Sequence, residues 1–417
     1  MPSRVEPAFV GPSHTGLPVR TSSSEVAAVP CLVRYADGSE ELIGEGTPQF
    51  TIAIRSPAAF DALLRSSAAG AAFRYLRGEY DISGDLAAAI QFWEQQWEHR
   101  PFSPVLRLLG RLLCLHPESL LQTRSRARRN IVFHYDRSND FYRLFLDPRM
   151  VYSCAYFRER TDTLEDAQLR KLDHICRKLD LQPGMRFLDI GSGWGALVLR
   201  AAECFGADAT GCTLSDRQHE ESSARGRASA SSARIRFLNC DYRELTGRFD
   251  AMASVGMFEH VGRRRLPAYF ARIASLLDEG GRFLNHGIVR AAGVPDDPST
   301  LFIQRRVFPG GELTTLERVL HAAERAGLEP LDVENLRPHY ALTCRAWVRR
   351  LEGVRDACVR LVGEETYRTW RLYLAGSARN FEAGHLAVYQ VLFGKRGGGT
   401  RRLTREYMYT SGLKAPR

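Results

Sequence analysis

Phe187-Leu188-Asp189-Ile190-Gly191-Ser192-Gly193-Trp194-Gly195 is the stretch whose reading decides the fold of this chain. A strand-like run, MRFLDIG, meets glycines at alternate positions and then a helical run from Trp194 to Cys204. Glycines at such a turn let the backbone pass close to a ligand, and the helix start presents unpaired N–H groups to electron-rich atoms. Working outward, a helix from Leu164 to Asp180 comes before the strand. After it follow the strand ATGCTLS, a polar helix from Asp216, the strand RIRFLNC and the strand FDAMASVGMFEH. The helix LPAYFARIASLL and the strand RFLNHGIV follow, and the rest of the chain carries more helices, one of them capped by Gly327, and a closing strand LAVYQVLFGK. Alternation of this kind predicts an α/β fold with a doubly wound parallel sheet and a site at the carboxyl ends of its strands.

Two ligands compete for the glycine turn. Gly191-x-Gly193-x-x-Ala196 satisfies the dinucleotide pattern with Ala at its last place, and Asp216 falls about where a ribose-binding acid would sit. Asp189 before the turn and the third glycine at 195 instead fit the D-x-G-x-G-x-G form, which leaves room for the amino-acid end of S-adenosylmethionine. Thr213, Ser215 and Gln218 can bond ribose hydroxyls, and Asp241-Tyr242-Arg243 can clamp an adenine by stacking and edge contact.

Before this region, residues 1–28 are Ser-, Pro-, Gly- and Thr-rich without a sustained period and read as a flexible tail. Residues 29–100 read as a small α+β domain. A hairpin turns at Asp37-Gly38, another strand follows, and helices begin at Ser56-Pro57 and after Gly84. Residues 101–133 read as a basic helical linker carrying Arg124, Arg126, Arg128 and Arg129 beside leucines, a pattern that suits either a solvated face or a patch facing an anion or an anionic membrane surface. Residues 134–400 hold the sheet domain, and 401–417 read as a C-terminal tail.

Lys+Arg exceeds Asp+Glu by 58 to 48, leaving nucleic acid, anionic membrane and small anions open as partners. No apolar run approaches the ~20 residues of a membrane span. The nine cysteines are scattered without a C-x-x-C pair, which argues against a metal site or a disulfide framework. The first 30 residues lack the order of a signal peptide, and a cytoplasmic location is expected. No nucleic-acid-binding module or Pro-Pro-aromatic catalytic string is present, so no nucleic acid is expected as a partner.

HYDRSNDFYRLFLDPRMVYSCAYF (134–157), FLDIGSGWG (187–195), CTLSDRQ (212–218), SVGMFEHVG (254–262), RRVFPGG (305–311) and RPHYALTCRAW (337–347) together resemble the cyclopropane-fatty-acyl-phospholipid synthase family, which includes the mycolic acid cyclopropane synthases. The likeness runs in order from about residue 30 to 400. It implies a class I methyltransferase (Rossmann-like) sheet with a lipid-binding-type N-terminal domain. It also implies methyl transfer from S-adenosylmethionine to the cis double bond of an unsaturated phospholipid acyl chain, giving a cyclopropane. A methylene- or methyl-branched chain, or a small-molecule methyltransferase on the same scaffold, is the alternative.

Residue by residue, the resemblance implies cofactor contacts at Tyr152, Ser153, Asp189, Gly191, Gly193, Trp194, Gly195, Thr213, Leu214, Ser215, Gln218, Tyr242 and Arg243. Cys154, Glu259, His286, the backbone of Ile288 and Tyr340 match the ligands of a bicarbonate ion that serves the family as base. An alkene attacks a sulfonium methyl without a base, but the resulting carbocation must be shielded from water and then lose a proton. Tyr142, Tyr152, Trp194 and Tyr340 are candidates to face that cation. The phospholipid implies peripheral association with the inner face of a membrane, and family members are often homodimers. Three positions depart from the family pattern: Ser192 for a cysteine, Arg306 for a tyrosine, and Ser377 where some members carry a cysteine.

Overall fold

The computed structural model describes residues 19–20, 29–98, 138–294, 306–307, 312–398 and 402–409. The chain divides into two compact units, 1–102 and 103–417. The basic stretch with Arg124 to Arg129, and most of the two terminal tails, lie outside the described residues.

In the first unit the strands β1 (Val19–Arg20), β2 (Cys31–Tyr35), β3 (Glu40–Ile43), β4 (Phe50–Ile54) and β5 (Tyr80–Gly84) form one sheet in the order β1-β3-β2-β4-β5. The Asp37-Gly38 hairpin is as expected: β2 and β3 pair antiparallel, Asp37 accepts the Ser39 N–H at 2.9 Å, and Gly38 takes a φ of +88°. Val19–Arg20, inside the stretch expected to be a tail, pairs in parallel with β3. Two residues are too few for a period to be legible. The helices are α1 (Pro57–Leu64), α2 (Ala68–Leu76) and α3 (Leu86–Glu98). The Ser56 hydroxyl caps α1 by accepting the Ala59 N–H, and Phe92 of α3 packs edge-on to Phe50 of β4. Val33, Ile52, Phe60 and Leu63 are fully buried between the layers.

The second unit holds α4 (Asn139–Arg143), α5 (Leu164–Lys178), β6 (Arg186–Ile190), α6 (Ala196–Phe205), β7 (Asp208–Thr213), α7 (Asp216–Ala228), β8 (Ile235–Asn239), β9 (Phe249–Val255), α8 (Leu266–Leu276), β10 (Leu277–Arg290), α9 (Leu316–Arg325), β11 (Leu328–Asn335), α10 (Arg337–Gly353), α11 (Arg355–Val362), α12 (Glu364–Ala383), β12 (Leu386–Lys395) and α13 (Glu406–Tyr409). Its sheet runs β11-β12-β10-β9-β6-β7-β8. The five strands β10, β9, β6, β7 and β8 pair in parallel, and β12 inserts antiparallel between β10 and β11. The chain leaves β6 towards β7 and β8, then returns to the other side as β9 and β10. The carboxyl ends of β6 and β9 therefore flank the switch point where ligands bind in such sheets.

Apolar layers cover both faces. Leu172, Ile175, Leu197 and Val198 of α5 and α6 pack on one side, and Tyr269, Phe270 and Ile273 of α8 on the other. A separate aromatic cluster joins Phe141, Tyr142, Phe145, Trp347, Trp370 and Phe381 from α4, α10 and α12 with the loop after α4. Part of the expected C-terminal tail is structure as well. Met408 is 3% exposed, Arg405 pairs with Asp332 at 2.7 Å, and the Met408 carbonyl meets His174 at 3.3 Å. One buried thioether and two polar clamps hold a segment too short to show periodicity.

Candidate active site

The first part of the site is built on the turn after β6. Gly191, Gly193 and Gly195 all have positive φ, at 78°, 54° and 87°. The N–H groups of Gly191 and Ser192 both donate to the Cys212 carbonyl, which ties the turn to the end of β7. The three glycines serve different ends. A side chain on Gly193 would enter open space, whereas a Cβ at Gly191 would lie 2.8 Å from Met257 Cγ. At Gly195 a Cβ would lie 2.6 Å from Phe237 Cζ, so that glycine seats α6 on β8 and is absent from the cavity lining. Ser192, in the place of a cysteine, keeps its hydroxyl against the same Cys212 carbonyl, and the turn accommodates the change.

A cavity opens at this turn, lined by the ends of β6, β7, β8 and β9 and by Met150–Ser153. Its walls include Tyr152, Ser153, Asp189, Gly191, Gly193, Trp194, Thr213, Leu214, Gln218, Tyr242 and Arg243, all expected from the sequence. Thr213 donates to Gln218 Oε1 at 2.8 Å, and Arg243 is held by Asp241 through its Nε at 2.8 Å. Ser215, expected as a cofactor contact, is fully buried, its hydroxyl caps α7 by accepting the Gln218 N–H, and it is absent from the cavity lining. Asp216, the acid required by the dinucleotide reading, bonds Asn239 and does not line the cavity.

Asp189 is 3% exposed, and its Oδ1 meets no hydrogen-bond partner among the described residues. An orphaned carboxylate oxygen beside open glycine backbone fits a ligand that brings its own N–H or O–H donors. Lys171 of α5, also buried, points to the same place and donates to Ser153 Oγ at 3.0 Å. Burial raises the Asp189 carboxyl and lowers the Lys171 ammonium, and the attraction between them offsets part of each shift. Lys171 did not emerge from the motifs. Its signal was a lysine inside the buried stripe Leu164, Ala167, Gln168, Leu172, Ile175.

The second part surrounds β10 beyond the last residue it shares with β9. His286 is the last paired position, and its carbonyl accepts the Gly256 N–H. The next N–H on that edge, Ile288, has lost its strand neighbour, and Glu259 takes it with Oε1 at 2.7 Å. Glu259 sits on a 3₁₀ turn, Phe258–His260, rather than on β9 itself. Phe258 lies over Gly287, where no Cβ could be accommodated, and this contact seats the turn. The Ile288 N–H, expected among the ligands of an anion, here anchors Glu259.

Glu259 Oε2 and His286 Nε2 are among the buried polar atoms that meet no partner among the described residues. Burial pushes the Glu259 carboxyl up to about 7, against the pull of the Ile288 N–H, and drives His286 well below the usual imidazole range. Cys154, Ile288 and Tyr340 pack in one cluster. The Cys154 thiol donates to the Ala155 and Leu336 carbonyls at 3.3 and 3.8 Å, and burial raises it far out of the thiolate range. Tyr340 stacks on Phe381 with centroids 4.6 Å apart and meets Trp347 edge-on. Trp347 in turn lies 5.0 Å from Tyr152, whose ring also meets Tyr142; Tyr142 meets Trp194. The four aromatic residues expected from the sequence thus belong to one chain of ring contacts, joined by Trp347, of which Tyr152 and Trp194 line the cavity. Of the departures, Arg306 pairs with Glu365 at 2.8 Å, and Ser377 lies partly buried in α12.

A seven-stranded sheet of this order, with its cavity on the glycine turn, is the class I S-adenosylmethionine-dependent methyltransferase fold. The profile of the mycolic acid cyclopropane synthetase family matches residues 122–391, and a domain family of unknown function matches residues 20–99. A probable fatty acid methyltransferase of Pseudomonas putida is 39% identical over 374 residues, spanning 87% of this chain and 91% of that protein. Cyclopropane mycolic acid synthase 1 of Mycobacterium tuberculosis is 36% identical over 274 residues, 63% of this chain and 95% of its own. The crystal structure of mycolic acid cyclopropane synthase CmaA1 complexed with SAH and CTAB superposes with a TM-score of 0.63. It is 35% identical and covers 66% of this chain and all of that one. The chain belongs to the mycolic acid cyclopropane synthase family and is an S-adenosylmethionine-dependent methyltransferase.

Proposed function

We propose that the enzyme converts the cis double bond of an unsaturated phospholipid acyl chain into a cyclopropane, with bicarbonate as the base. The observation that carries this reading is the pair of buried, unpartnered atoms Glu259 Oε2, on the turn whose next residue His260 lines the donor cavity, and His286 Nε2 on β10. The bound donor supplies an electrophilic methyl, and its sulfur keeps the bonding pair. The acyl chain then carries a cation, which must lose a proton from the new methyl so that the C–H pair can close the ring. Tyr142, Tyr152, Trp194, Trp347 and Tyr340 supply faces that favour a cation in a dry site, each worth roughly 0.5–2 kcal/mol. Bicarbonate held by Glu259 and His286, with Tyr340 and Cys154 beside them, would supply the base. With its carboxyl near 7, Glu259 is partly protonated at neutral pH and can donate to an anion instead of repelling it.

Fatty-acid and cyclopropane products in the names of relatives support the substrate class. An anionic membrane surface, met by Arg124 to Arg129, suits a phospholipid substrate. Among the described residues no helix is long and apolar enough to cross a membrane. The test incubates the enzyme with S-adenosylmethionine and anionic vesicles of unsaturated phospholipid, then analyses the chains. A gain of one CH₂ with resistance to bromine is expected. The same mass with bromine uptake would give the methylene-branched product instead, and unchanged lipid beside a methylated amine would overturn the lipid reading.

A further inference from the structure

The closing strand β12 is apolar on its buried face except at one position. Gln390 is fully buried between Val388 and Leu392, where a leucine would satisfy packing alone. It stands directly opposite His286 in the antiparallel register, and its amide Nε2 lies 3.2 Å from His286 Nδ1. A buried amide is costly unless it is used.

We propose that Gln390 is a positioning residue that sets the tautomer of His286, holding its proton on Nε2 so that the N–H faces the reacting site. The chemistry follows from donor counting. In this orientation the amide nitrogen, which only donates, faces Nδ1, so Nδ1 accepts and a neutral imidazole carries its one proton on Nε2, while Gln390 Oε1 meets no partner among the described residues. His286 is 1% exposed, and burial keeps it neutral despite the nearby Glu334; Lys171, Lys178 and His174 act in the same direction as burial. Its Nε2 meets no other partner among the described residues, so the N–H remains for a ligand. The opposite tautomer would present a lone pair to an anion and repel it. This inference rests on the reading of His286 as a ligand-facing donor, and its primary test does not depend on catalysis.

Nitrogen-15 histidine NMR of the full chain, with His286→Gln used to assign the signal, should give a protonated Nε2 and an unprotonated Nδ1. Gln390→Glu offers an acceptor and should move the proton to Nδ1, and Gln390→Leu should leave a mixture. Both variants should lose about 10–100-fold in kcat, the usual cost of removing a group that orients a ligand, with the KM for S-adenosylmethionine unchanged. A wild-type signal with the proton on Nδ1 overturns the inference even if neither variant folds. Gln390→Leu with wild-type tautomer and kcat does the same. A fully active His286→Ala would sink the proposed catalytic role of His286 while leaving the tautomer assignment standing.

Discussion

The donor cavity and the polar cluster on β10 are built in opposite ways. The cavity is made of strand ends and the turns that follow them, so most of its groups are backbone or lie within a few residues of a glycine. The cluster takes Cys154 from the loop before α5, Glu259 from a 3₁₀ turn, His286 and Ile288 from β10 and Tyr340 from α10. Local motifs can build a cofactor cradle, because backbone conformation is a local property. A buried polar cage needs several segments to meet, and its chemistry depends on which hydrogen bonds are already taken. Ile288 illustrates this, since its N–H is taken by Glu259.

The largest effect that separates the two regions is expected from Glu259→Gln. It should cost about 10²–10⁴ in kcat, the range for general acid–base assistance, with donor affinity within about twofold. Equal loss of donor binding in a calorimetric titration would merge the two regions into one. The converse variant is Gly193→Val. Its side chain meets no neighbour, so the cost to the fold is the backbone strain of a φ of +54°, about 1–3 kcal/mol, while donor affinity falls by at least about 100-fold, a loss of ~2.7 kcal/mol. Retained binding would show that the methionine end lies elsewhere.

A third test uses stability. The Glu259 carboxyl rises from an ordinary 4.5 to about 7 on folding, so its contribution is fully present below about 4.5 and is lost as pH rises through 7. Glu259→Gln cannot ionise. Relative to wild type it should gain up to about 3 kcal/mol between pH 4.5 and pH 8 in urea melts. A pH-independent difference would remove burial as the cause of the shift. The smallest effect belongs to Ser215→Ala, which should cost about 1 kcal/mol through the lost helix cap and leave donor affinity nearly unchanged. A tenfold loss of affinity without loss of stability would restore Ser215 as a ligand.

The order of strands and helices from α5 to β10, the closing strand β12, the glycine turn and most donor-cavity residues were legible in the sequence, whereas the edge strand β11 was not. Period-2 and period-3.6 patterns are local, and the required positive φ values select glycine wherever it sits. The separate duties of the glycines were not legible, because Gly195 answers to Phe237 on another strand while Gly193 faces open space. Nor were β1 and α13, which are short and held by distant partners.

By itself the sequence determined an α/β sheet with a nucleoside-type site at its carboxyl edge, and its ordered motifs named the residues of the proposed second centre. Only the tertiary structure decided which of those residues keep a free polar atom. Hydrogen-bond capacity is shared out among whatever neighbours folding supplies. A strand that outruns its neighbour left the Ile288 N–H to Glu259, and a strand closing from residue 386 onward brought Gln390 to His286.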